Sequence, residues 1–291
     1  MIDNKYIKIN LIDDLSKICK DDINEMGYDT SSLSLDVVLI QYNELLMRLI
    51  TPQKRQIEIS REFCCPPSLQ AGFNLLKSKV SDGLSINAHL SRKIKSLEYD
   101  DKMLYDWNVH HLHLGTETDS NTGLIRGTKE VAFAVVTDDT VYFIQVFDHN
   151  QWSNKDVLNI IESNWPDLLS RYEIEGEPET EFTAANIQDL RTANINTILK
   201  LDSGKSYISC GDGYTAQGSS IRATEGTIEF KKYMEAWESD ILRYLQEKGK
   251  LSKTICEMRR TDSETLTVFD ENDIMLVQIP WKKLTSIYDT I

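Results

Sequence analysis

The chain of 291 residues is short of several features that would assign it to a class. Its five cysteines (Cys19, Cys64, Cys65, Cys210, Cys256) form no CxxC pair and no even framework. This excludes a disulfide scaffold and is the usage of a reducing cytoplasm. Nowhere do eighteen apolar residues run together, and the opening MIDNKYIKINLIDDLSK has acids among its first apolar residues, so neither a membrane span nor a secretion signal is expected. Bases are the minority, 32 Lys and Arg against 46 Asp and Glu, and the net charge of −14 excludes a surface that coats nucleic acid as a whole. There is no internal repeat, heptad run or low-complexity tract. The glycine-rich SCGDGYTAQGSS is neither GxGxxG before a helix nor a Walker loop and reads as a hairpin tip, and no nucleophile elbow is recognisable.

What is present is enough apolar residue, 41%, to bury a core in one large domain or two ordinary ones. Residues 51–100 depart from the acidic average, with eight bases against five acids, net +3, which leaves −17 for the rest. Periodicity predicts an α+β chain. DDLSKICKDDINEMG and LDVVLIQYNELLMRLI form a helical N-terminal lead-in over residues 1–52. Residues 53–175 read as a strand in ITPQKRQIEIS, a helix from CCPPSLQAGFNLLKSKV with Ser68 as N-cap and Gly83 as stop, and a second helix over LSINAHLSRKIKSLEYDDKMLYDW. Next come a strand at VHHLHLG, a hairpin turning at Asp138 and Asp139, and a helix ended by Pro166, which makes a central antiparallel sheet with two helices. The polar stretch from Gly176 predicts a linker, and residues 176–291 a C-terminal α+β part with hairpins and one long helix closed by Gly249.

Three of the five histidines fall in WNVHHLHLG, and His149 closes the next apolar block, VYFIQVFDHN. On a strand His111 and His113 share one face, about 7 Å apart, while His110 turns to the other with Leu112 and Leu114. Three readings compete: hydrogen-bonded core histidines, a metal site built on the HxH pair with His149 or Asp148, and metal-free acid–base chemistry, since imidazole titrates near neutral pH and a pair can take one proton while giving another. The third leads, because the HxH pair lacks well-spaced third and fourth ligands. Trp107, Trp152 and Trp165 flank the block and read as core packing, with stacking on a base as the alternative.

From about Arg55 to Leu169, HLHLG, then Arg126 in GLIRG, then EVAFAVV-DD-VYFIQVFDHN resemble the RelE/ParE-type toxin fold: strand, two helices, antiparallel sheet, short helix. The resemblance implies metal-independent, cofactor-free cleavage of RNA, often on the ribosome. His149 would match the polar residue closing the last strand and Arg126 the arginine facing the scissile phosphate, while Lys77, Lys79, Arg92, Lys93 and Lys95 would match the basic face that holds RNA backbone. The chain departs from that family in its length, its acidity and its HHLH cluster. On this reading His111 and His113 are the general base and its partner, His149 the acid and Arg126 the electrostatic clamp. The expected setting is a cytoplasmic toxin or defence effector with an RNA or ribosome target and a protein partner or inhibitor, without DNA or membrane; homo-oligomerisation is left open. The alternatives are a non-catalytic interaction module, antitoxin-like or part of a defence complex, and a metal-dependent HxH enzyme.

Overall fold

The computed structural model describes residues 7–176, 180–249 and 254–281. Among them the chain is mixed α+β. The elements begin with β1 (Ile7–Lys8), α1 (Leu11–Glu25), α2 (Leu35–Arg48), β2 (Gln56–Ile59), α3 (Gln70–Asp82) and α4 (Lys102–Trp107). They continue with β3 (His110–His113), β4 (Glu130–Val136), β5 (Thr140–Asp148), α5 (Asp156–Asn164), β6 (Glu173–Ile174) and α6 (Ala184–Thr192). The last are β7 (Leu199–Lys200), β8 (Ser206–Tyr207), α7 (Ile221–Glu247), β9 (Thr254–Ile255), β10 (Glu257–Asp262), β11 (Thr265–Phe269) and β12 (Met275–Pro280). No helix among the described residues is long and apolar enough to cross a membrane.

The chain divides into two compact units, one taking residues up to Asn43 and from Ala223 onward, the other Glu44–Arg222. These limits differ from the boundaries expected at 52/53 and 175/176. Residues 180–222 group with the histidine-bearing unit, where β6, β7 and β8 make a small antiparallel sheet and Arg191 of α6 pairs with Asp106 of α4. Within the expected linker, residues 177–179 lie outside the described ones, and α6 opens with a capping box at Thr183. In the other unit α1 buries Leu11, Leu15, Cys19 and Ile23, a stripe at every fourth residue. It packs on the antiparallel sheet β10-β11-β12, where Asp22 takes both Nη atoms of Arg260.

In the unit Glu44–Arg222 the main sheet has the order β2-β5-β4-β3. The expected antiparallel sheet needs one correction: β2 runs parallel to β5. The chain leaves β2, crosses through a helical layer and re-enters at the far edge as β3, and two antiparallel steps then bring β5 back alongside β2 in the same direction. The hairpin turns at Asp138 and Asp139, closed by Thr137 N–H to Thr140 O at 2.9 Å.

Both faces of the sheet are covered over β3, β4 and the first half of β5, while β2 is a largely exposed edge. Leu112, Ala132, Ala134 and Phe143 pack with Phe73, Leu76 and Val80 of α3, and Val131 and Phe133 pack with Val157, Leu158 and Ile161 of α5. Gly72 lets α3 approach the end of β3 closely, since a Cβ there would fall 1.7 Å from Leu114 O. Gly83 stops α3 in the left-handed region, φ +76°, but Ser68 does not cap it: a 3₁₀ turn over Pro67–Leu69 runs directly into Gln70.

The second helix expected over residues 84–107 is replaced by two 3₁₀ turns, Asn87–His89 and Arg92–Lys95, and the short α4. Two competitors account for this. The Ser91 side chain accepts from Lys93 N–H, and the buried Arg48 guanidinium donates to the carbonyls of Ser96, Leu97 and Tyr99, which a continuous helix would use internally.

Candidate functional site

In β3 the four residues HHLH are all buried. Antiparallel pairing sets His111 opposite Phe133 and His113 opposite Val131, so both rings stand on the α5 side, while His110 stands opposite Ala134 on the other. His149 follows the last residue of β5, its N–H bonded to Lys129 O at 2.9 Å, and its ring turns to the same place. Ring centroids lie 6.5 Å apart for His111 and His113, 6.1 Å for His111 and His149, and 5.3 Å for His113 and His149. The structure therefore brings together three of the four residues named as catalytic.

Hydrogen bonds fix part of the protonation pattern. Thr128 N–H donates to His113 Nδ1 at 3.0 Å, which leaves the proton of the neutral ring on Nε2. The Thr128 hydroxyl accepts from Leu114 N–H and donates to Glu130 O, so it holds the loop rather than the ring. Behind the strand, fully buried His89 donates from Nδ1 to His113 O at 2.8 Å, and its Nε2 accepts from Lys79 Nζ at 3.3 Å. Because β3 is an edge strand, this imidazole covers a carbonyl that no neighbouring strand reaches. His111 Nδ1 is buried with no hydrogen-bond partner.

Trp152 forms the wall of the cluster. Its ring lies 4.6 Å from His111 and 4.8 Å from His149, and stacks on Phe133 at 5.5 Å and 8°. Its carbonyl accepts from Arg191 Nη1. That guanidinium also pairs with Asp106 at 2.7 Å and lies over the Trp107 ring at 4.0 Å, with the side chains of Arg191 and Asp106 only 3% and 2% exposed. A buried ion pair from α4 and α6 thus seats the tryptophan against the imidazoles.

Burial sets the charge state. Desolvation lowers the His113 pKa to about 4, helped by the nearby charges of His111, His149 and Arg92. Desolvation also lowers His111, with His149 and Lys93 pushing the same way against Asp101, and takes His110 down to about 4. These rings are neutral at pH 7, the state a proton acceptor needs.

The other expected residues are distributed. Arg92 and Lys93, exposed on the Arg92–Lys95 turn, act electrostatically on His113 and His111, and Lys95 is exposed on the same turn. Lys79 binds His89, whereas Lys77 lies over the Phe73 ring at 4.7 Å. Arg126 pairs with Glu117 at 2.8 Å, with its side chain 69% exposed, rather than with an imidazole. No group of three His, Cys, Asp or Glu among the described residues is arranged to hold a metal ion. The Nε2–H tautomer of His113 also leaves that ring without a free lone pair for one. Composition pointed weakly to His89, the remaining histidine, and to Trp152, three residues after His149; nothing local in the sequence pointed to Arg191.

The chain matches no family model, no curated protein and no solved structure.

Proposed function

We propose that the chain is a metal-independent, ribonuclease-like toxin or defence effector that cleaves RNA by histidine acid–base chemistry, with a RelE-like domain over about residues 55–169. The observation that carries this reading is the convergence of His111, His113 and His149, all within 6.5 Å of one another between centroids. A neutral imidazole takes the proton of a ribose 2′-hydroxyl, the oxygen attacks the adjacent phosphorus, and a second ring protonates the leaving 5′-oxygen. Since His113 Nδ1 is occupied, its Nε2–H serves as a donor to a phosphoryl or leaving oxygen, and His111 is the better base. His149, the least buried of the three, is the acid. Arg92 and Lys93 supply positive charge at the site, and Arg126 joins them by leaving Glu117, an exposed pair worth no more than about 1 kcal/mol. Expression without an inhibitor tests the effector role: growth arrest with loss of intact RNA, relieved by His149→Ala, supports it.

A second reading, a non-catalytic interaction module, antitoxin-like or part of a defence complex, draws on the burial of the same rings. His111 is 7% and His113 6% exposed, as core histidines would be. On this reading the growth of cells is unaffected, and His149→Ala changes nothing.

A further inference from the structure

On the unit Glu44–Arg222, the side of β5, α5 and the turn between β7 and β8 enclose a groove of about 780 Å3, within the size of natural ligand sites. Phe147, Ile160 and Pro166 give it an apolar floor, and Glu62, Asp156, Glu162 and Asp202 supply carboxylates to its walls. Their hydrogen bonds have a common character. Glu62 accepts from Asn164 at 2.7 Å, Asp156 from Asn154 at 3.1 Å, and Asp202 from Asn159 at 3.1 Å. Glu162 accepts from Ser203 at 2.7 Å and Tyr207 at 2.8 Å. All of these donors are neutral. Lys205, the lysine in the lining, is paired with Glu173 at 2.7 Å, and Arg61, next to Glu62, spends its guanidinium on Ser163 O and Asn164. Amides and hydroxyls thus orient four carboxylates around an apolar floor, and none of the four takes part in an ion pair within 4 Å among the described residues.

We propose that this groove seats a segment of a partner protein in which an apolar side chain is flanked by lysine or arginine. The apolar residue covers Phe147 and Ile160, and the flanking cations supply close counter-charge to carboxylates that have only the longer-range influence of Arg61 on Glu62 and of Lys205 on Glu162. RNA has the wrong sign for this surface. The inference stands apart from the ribonuclease reading, because neither the floor nor the carboxylates include a residue assigned to catalysis. Phe147 does lie 5.2 Å from Phe133, whose other neighbour is Trp152, so a seated segment touches the row of rings behind the histidines.

The test is a titration of the full chain, followed by amide NMR shifts, with a short synthetic peptide in which a leucine pair is flanked by lysines, and with its counterpart carrying glutamates instead. The expected result is saturable binding of the lysine peptide with shifts concentrated in residues 159–163 and 202–205, and none with the glutamate peptide. The double variant Glu162→Gln, Asp202→Asn keeps the accepting oxygens that hold the groove together and should weaken binding on the order of tenfold. Asp21→Asn with Glu25→Gln, on the exposed acids of α1, should leave it unchanged. Shifts spread over the acidic surface, equal affinity in the groove double variant, or an RNA oligonucleotide producing the same shifts would each overturn the proposal.

Discussion

The rings of His113 and His149 lie 5.3 Å apart and 26° from parallel, although one closes β3 and the other follows β5. Positive charge on His149 is a like charge beside His113 and opposes protonation of that ring. His149→Asn should raise the apparent pKa of His113, because it removes one of the charges that hold that ring down. Following the His113 ring proton by NMR across pH 4 to 8 checks the direction, and an unchanged midpoint would separate the two rings.

Stability should fall with acid in a window set by the same burial. His110 and His113 have folded-state values of about 4, below the ordinary 6.5, so the unfolded chain binds more protons between those limits. Stability is then fully present above pH 6.5 and is lost as pH drops toward 4, by about 3 kcal/mol for His110 alone. Urea denaturation at pH 7 and pH 5 measures it, with His110→Phe flattening the slope if its ring is accommodated.

His89 should matter through the one bond it gives to β3. His89→Leu strips the donor from His113 O and leaves a buried carbonyl unpaired, at a cost of about 1–3 kcal/mol. His89→Asn can still donate from its side-chain amide and should recover part of the loss in thermal unfolding, whereas equal destabilisation by both variants would point to packing alone.

Asp106→Asn or Arg191→Met should destabilise by about 3–5 kcal/mol, since either leaves a buried charge without its partner. The double variant Asp106→Leu, Arg191→Met should cost less than the two single changes together. Near-ultraviolet circular dichroism provides a local readout, because the backbone of Trp152 is held by Arg191.

The parts of this structure legible in the sequence are those that follow from local periodicity. Alternation in HLH puts His111 and His113 on one face, the Asp138–Asp139 turn makes the hairpin, and Gly83 and Gly249 fall just beyond their helices. What was not legible depends on partners distant in the chain. Residues 84–107 carry a helical pattern, yet Arg48 captures the carbonyls that a helix would need. The segment after residue 176 reads as a separate part because its ties lie far back in the chain: β8 pairs with β6, Gly211 N–H bonds Asp106 O, and Arg191 of α6 reaches Asp106 and Trp152. The parallel pairing of β2 with β5 is likewise set by the route of the crossover, which local pattern does not record.

The most direct test of the histidine chemistry is cleavage of matched ribo- and deoxyribo-oligonucleotides by the purified chain with EDTA present. The expected result is cutting of RNA alone, products ending in a 2′,3′-cyclic phosphate, and a loss of rate of about 100-fold in both His149→Ala and His113→Ala with the fold retained. Cleavage of DNA, dependence on a metal, or a fully active His149→Ala protein would contradict the mechanism, and intact RNA throughout would leave the clustered imidazoles as packing for an interaction module.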